Sequence, residues 1–355
     1  MSAGAIVVRG AAQPSVRGSQ QWQVLGGLRF YLASIVVCGH LFRFIPAKGI
    51  SNRALLGFGK LDAVAAVIGF LVISGYSIAH SAARQPEGYY RRRLIRIYPL
   101  YLLGVLSALG LYLLVGPAIR VLDGVFLLPN ASTIAGNLVF LQGFTVHPIT
   151  ANGPLWTLAV EVFCYLFAPL LLRLDSRKLL ALMLISAGAY ALFPKLHLDF
   201  YSRLLWGEPV VFLAWAWLGG FALYRKQVDM TFTLLLLLVG VFALSANQIA
   251  MTRFAPFTFV LSVAVLGLAA RIRVPDLFAK LLGYVGEISY PLYIVHLPVL
   301  IFGYVVLGLR SGPALALLAL LGAIAAYHLV DVPIRVRSRR RRAARGLALA
   351  RPEAH

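Results

Sequence analysis

The feature that most constrains this chain is a recurrence. Stretches of about twenty apolar residues return along its 355 residues, separated by short polar or basic segments. Twenty residues of α-helix rise about 30 Å, the thickness of a bilayer's hydrocarbon core. Inside that core a backbone must satisfy its own hydrogen bonds, so such stretches form helices. They read as spans at about 25–44, 61–80, 97–116, 153–172, 179–194, 208–224, 230–247, 254–270, 284–306 and 313–330. Composition agrees: 60% of residues are hydrophobic and 13% charged, against about a quarter charged in a soluble domain. The expected fold is an all-α, polytopic transmembrane helical bundle of about ten spans.

The net charge of +21 would suit nucleic acid, but its distribution argues against that partner. With the N-terminus inside, the inner segments hold 23 Lys and Arg and the outer loops nine, the asymmetry of a positive-inside membrane protein. Both termini are therefore expected inside, and membrane lipids are expected partners. Residues 1–24 read as a disordered cytoplasmic tail with no cleavable signal, 25–333 as the membrane domain, and 334–355 as a basic cytoplasmic tail. The basic run Arg335 to Arg345 suits anionic lipid. Segment 134–146 is too short to cross and carries Asn137 and Gln142, so it is expected as an outer interfacial or re-entrant piece. Cys38 and Cys164 lie in apolar stretches and are expected to pack rather than bridge. There is no internal repeat, no heptad pattern and no signal for an oligomeric state.

Charge inside a spanning helix costs at least about 2.5–3.5 kcal/mol per residue on insertion scales, so each such residue is a functional candidate. Arg29 and His40 share the first span. Eleven residues is about three turns, so both project from nearly one face, about 16 Å apart along the axis. Glu161 descends from the outer end of the fourth span to about the depth of His40. A carboxylate can fix an imidazole's tautomer for general-base work; the alternative reading of the pair is a structural interhelical bond. Arg93 and Arg96 stand i, i+3 on the inner side, where planar guanidinium forks suit phosphate or merely clamp the third span's topology. His296 lies in a span broken by Pro291 and Pro298, where it either shapes a cavity or packs. Asn130, Asn137, Gln142 and Asn152 make a polar outer loop that reads equally as a sugar-binding segment or as a surface loop with no ligand.

Five segments, in order, resemble the acyltransferase 3 family of membrane O-acyltransferases. They are Gly27-Leu28-Arg29 with His40; Arg91 to Pro99; Gly153 through Trp156 to Glu161; Gly286 through Ser289 and Tyr293 to His296; and Tyr327 through Asp331 to Pro333. The resemblance covers residues 26–333. It implies transfer of an acyl group, usually acetyl, from cytoplasmic acetyl-CoA or another acyl-CoA to a hydroxyl of an envelope glycan or lipid-linked sugar at a bacterial cytoplasmic (inner) membrane, with no metal. By that resemblance His40 and Glu161 are catalytic; Arg29, Arg93 and Arg96 bind the donor; and Trp156, Ser74, Tyr293 and His296 shape the substrate cavity. His40 either deprotonates the acceptor or carries the acyl group transiently. The chain departs from the family pattern at Gly26, where Asp is common, in the reduced motif Val72-Ile73-Ser74-Gly75-Tyr76, and at Asp331 in place of Glu. No carboxy-terminal hydrolase-like domain is expected. A transporter or flippase of lipid-linked sugars would use the same intramembrane charges without consuming a thioester. A non-catalytic scaffold would leave their cost unexplained.

Overall fold

A computed structural model describes residues 16–46, 52–122, 124–196, 203–247, 252–338 and 340. The first fifteen residues of the expected N-terminal tail and most of the C-terminal basic run lie outside the described residues. Twelve α-helices are described: α1 (Val16–Leu41), α2 (Arg53–Lys60), α3 (Ala63–Arg84), α4 (Tyr89–Val115), α5 (Ala131–Leu138), α6 (Trp156–Leu171), α7 (Ser176–Leu196), α8 (Glu208–Arg225), α9 (Met230–Ala246), α10 (Ala255–Leu268), α11 (Asp276–Ile301) and α12 (Gly312–Ala326). Each of the ten apolar stretches overlies one of them. Among the described residues six helical stretches are long and apolar enough to cross a membrane: Gln20–Leu41, Ala63–Arg84, Tyr89–Val115, Thr150–Leu171, Asp276–Val306 and Gly312–Ser338. The helices α9 and α10 are apolar but shorter. Helix α5 has eight residues, about 12 Å of rise, well short of a crossing.

Four details depart from expectation. Among the described residues the strands are those of an antiparallel hairpin, β1 (Ala118–Val121) with β2 (Gly124–Leu127), which a reading of apolar runs does not register. Helix α1 starts at Val16 rather than near 25, so 16–24 is helix and not disordered tail. Its polar opening turns have tertiary partners: Gln20 donates to Val274 O at 3.3 Å and Gln21 to the Tyr76 hydroxyl at 3.1 Å. Helix α11 runs unbroken through Pro291 and Pro298. Proline at 298 removes the N–H that would bond Ile294 O, and Asn152 Nδ2 replaces it at 2.9 Å while also reaching Gly104 O at 3.0 Å. Finally, the helix after α12 widens into a π-helical segment, Tyr327–Asp331, and continues as helix to Ser338, so Arg335 stands on a helix and not in a free tail.

The bundle is built on two close helix contacts made by small residues, the packing mode favoured between apolar helices. Helix α1 lies along α11 where Gly26 meets Gly286: a Cβ on Gly286 would come 2.4 Å from Gly26 Cα. Helix α3 lies along α8 where Gly75 meets Trp217 O and Gly220 meets Val72 O. The departure at Gly26 thus has a physical reason, since a side chain there would push α1 off α11. The same holds for the retained Gly75.

Candidate functional site

Helices α1, α3, α4, α6 and α11 enclose a cavity of about 150 Å³. Arg29 enters it from α1, Ser74 from α3, Arg93 and Arg96 from the first two turns of α4, Glu161 from α6, and Tyr293 from α11. Six of the nine candidate residues therefore share one space. Because α4 begins at Tyr89, the two arginines sit on a rigid helix, one turn apart. Arg93 donates to Ser81 Oγ at 2.5 Å and lies over the Tyr89 ring at 5.9 Å. Arg29 is half-buried, within electrostatic range of Arg96, Glu287 and Glu161, and its Nε is buried with no hydrogen-bond partner among the described residues.

Glu161 is held by two hydroxyls on one oxygen. Ser74 Oγ donates to Oε1 at 2.5 Å and Tyr165 OH to the same atom at 2.5 Å, and the two hydroxyls lie 3.1 Å apart. Hydrogen bonds to a charged acceptor are worth about 1.5–3 kcal/mol each, enough to fix this carboxylate's rotamer. Tyr165, one turn beyond Glu161 on the same helix, was not singled out by sequence; its i+4 spacing was the available signal.

The expected orienting role of Glu161 toward His40 is not what the structure displays. His40 does not line the cavity, and its ring Nδ1 donates instead to Val36 O at 2.8 Å. Its ring neighbour is His296, with centroids 5.0 Å apart. Matching depth on two helices was a one-dimensional estimate and carried no information on which faces meet. His296 is fully buried, and its Nδ1 bonds Tyr293 O at 2.8 Å and Leu292 O at 3.2 Å. Tyr293 stands between the two centres. It lines the cavity, its ring is 6.0 Å from that of His296 and 5.6 Å from Phe70, and its hydroxyl is held by Thr157 Oγ1 at 2.7 Å and Pro154 O at 3.1 Å. Trp156 opens α6 half-buried and outside the cavity lining.

Beside the cavity lies a cluster that sequence reading passed over. Arg96 Nη1 is 3.4 Å from Glu287 Oε2 and 3.9 Å from Asp331 Oδ2. Arg335 bonds both carboxylates, with Nε to Asp331 Oδ1 at 2.8 Å. Asp331 is only 4% exposed. Glu287 fell within an expected span and, by the same cost argument as Glu161, could have been flagged.

The polar loop has a structural role. Asn130 caps α5, while Asn137, Gln142 and Asn152 are fully buried and bond backbone carbonyls and the Tyr101 hydroxyl. Cys38 and Cys164 are buried free thiols. Among the described residues no three His, Cys, Asp or Glu side chains converge as metal ligands would.

Comparison with known proteins agrees with this frame. The model of the acyltransferase domain of the acyltransferase 3 family matches residues 23–329. The chain is 30% identical to the exopolysaccharide production protein ExoZ of Rhizobium meliloti, over 86% of this chain and 98% of that one. It is 24% identical to the O-acetyltransferase OatA of Staphylococcus aureus over 88% of its own length, and spans 57% of that protein. It also spans 64% of a relative from Acidianus two-tailed virus, at 29% identity over 59% of its own length. No solved structure matches. The chain belongs to the acyltransferase 3 family.

Proposed function

We propose that this protein is an integral membrane O-acyltransferase that moves an acyl group, acetyl first among candidates, from a cytoplasmic acyl-CoA to a hydroxyl of an envelope glycan. The observation that carries the proposal is the cavity itself, where three guanidinium groups and a hydroxyl-held carboxylate converge from three helices. Maintaining such a cluster among apolar helices is costly, and guanidinium forks match phosphate oxygens. The cavity is below the roughly 300–1,000 Å³ of a site enclosing a whole drug-sized ligand. It suits the thioester end of the donor, with the nucleotide outside at the Arg93 end. A glycan acceptor is supported by the likeness to the rhizobial exopolysaccharide production protein, and O-acetyl transfer by the likeness to the staphylococcal O-acetyltransferase.

The topology we propose has ten spans with both termini inside, in the cytoplasmic membrane of a bacterium, on the strength of the 23-to-nine charge bias. Arg93, Arg96 and Arg29 then face a cytoplasmic donor. His40, about 16 Å further along α1 than Arg29, faces the acceptor. Its Nδ1–H is committed to Val36 O, which leaves Nε2 as the basic nitrogen, so His40 acts as general base on the acceptor hydroxyl. Glu161, fixed by Ser74 and Tyr165, presents its charge inside the donor cavity.

The test uses inside-out membrane vesicles with labelled acetyl-CoA. The proposal expects free thiol and glycan-bound label to appear together, with both lost in His40→Ala. Sugar movement across the vesicle without thiol release would replace it with the flippase reading.

A further inference from the structure

Resting on the acyltransferase reading, we infer that His296 is a positioning residue for His40, the built hydrogen-bond acceptor for the imidazolium that His40 becomes during transfer. Four observations converge. The two rings are neighbours, 5.0 Å between centroids at 57°, although 256 residues separate them. Each ring has its Nδ1 against backbone carbonyls, Val36 O for His40 and Tyr293 O with Leu292 O for His296. A carbonyl only accepts, so each Nδ1 carries a hydrogen, and in the neutral rings both Nε2 atoms are acceptors. The Nε2 of His296 is buried and without a partner among the described residues, in a side chain with no exposure.

A buried acceptor left unpaired is destabilising, and an apolar side chain at this position would avoid that cost. The cost is recovered only when a donor arrives. Within the neutral pair there is none; it arrives when His40 gains a second N–H. The step balances as follows. The acceptor hydroxyl gives its proton to His40 Nε2 as its oxygen bonds the acyl carbon. The carbon–sulfur bond breaks and its electron pair leaves on the thiolate. His40 then carries Nδ1–H, still on Val36 O, and Nε2–H, which the departing ester frees to turn to His296 Nε2. Loss of that proton to water restores the base. His296 thus supplies what Glu161, committed to Ser74 and Tyr165, does not. It does so without adding a second charge beside His40.

The experiment compares three substitutions in the full chain. Gln at 296 returns an acceptor near the position of Nε2, Asn returns only a donor near Nδ1, and Phe returns neither. Initial rates of free-thiol release are measured in inside-out vesicles carrying their own envelope glycan, against acetyl-CoA concentration. Rates are normalised to the chain that elutes as a folded, monodisperse species. His296→Gln is expected to keep kcat within about threefold, while His296→Asn and His296→Phe lose about tenfold or more, the scale of one hydrogen bond to a charged group. Donor KM is expected unchanged in all three. An Asn variant as active as the Gln variant would show that the backbone bond at Nδ1 is what matters and overturn the inference, as would three variants of wild-type kcat. A wild-type chain that releases no thiol would sink the acyltransferase reading instead.

Discussion

Asp331→Asn separates a working charge cluster from an incidental one. In the structure Asp331 is 4% exposed and takes both a 2.8 Å bond from Arg335 Nε and a second from Arg335 Nη2, with Arg96 Nη1 3.9 Å away. Asparagine keeps the shape and one acceptor oxygen but removes the charge. The bond whose acceptor becomes the amide NH2, worth about 1.5–3 kcal/mol, is lost, and the other falls toward the roughly 0.5–1.5 kcal/mol of a neutral one. Together they put the loss at about 2.5–4 kcal/mol. Arg96 also loses one of its two carboxylate neighbours, so the guanidinium proposed to hold the donor is less well oriented and donor KM rises. The assay is a double-mutant cycle with Arg335→Met, read by unfolding of the purified protein in detergent. Removing the fork as well leaves little further to lose, so the double variant is expected to fall short of the sum by about 2 kcal/mol. Additivity within about 0.5 kcal/mol, together with an unchanged donor KM, would refute the reasoning and return Arg335 to the surface.

Gly26→Asp restores the residue common in the family but places a Cβ 2.9 Å from Leu282 O and 3.2 Å from Gly286 Cα; it is expected to cost about 1–3 kcal/mol, seen as a lower unfolding midpoint. Asn152→Ala orphans Ile294 O and takes one of two side-chain donors from Gly104 O, which keeps Ser107 Oγ, a loss of about 2–4 kcal/mol, with a matching drop in unfolding midpoint. Arg93→Ala and Arg96→Ala are expected to raise donor KM several-fold with smaller effects on kcat; unchanged KM would make them topology residues only.

The helices were legible because apolar runs of bilayer length have few other ways to satisfy a backbone. Arg29, Glu161, Arg93 and Arg96 were legible because charge stands out against that background. Partnership was not. Insertion cost flags Glu161 and His40 separately, yet which imidazole or carboxylate each meets depends on helix rotation, and α1 and α11 are set by glycines at 26 and 286. That rotation pairs His40 with His296 and leaves Glu161 to Ser74 and Tyr165. The start of α1 was hidden because Gln20 and Gln21 are polar, and only their distant partners Val274 and Tyr76 make them helix. Arg335 read as part of a basic tail because Asp331 and Glu287 are brought to it by the π-helical turn and by α11.

The most direct test of the central claim is acetyl transfer itself. Vesicles bearing the wild-type chain, given labelled acetyl-CoA, are predicted to place label on envelope glycan with one thiol released per acetyl group, and vesicles bearing folded His40→Ala to place none. Label transfer undiminished in folded His40→Ala would contradict the account.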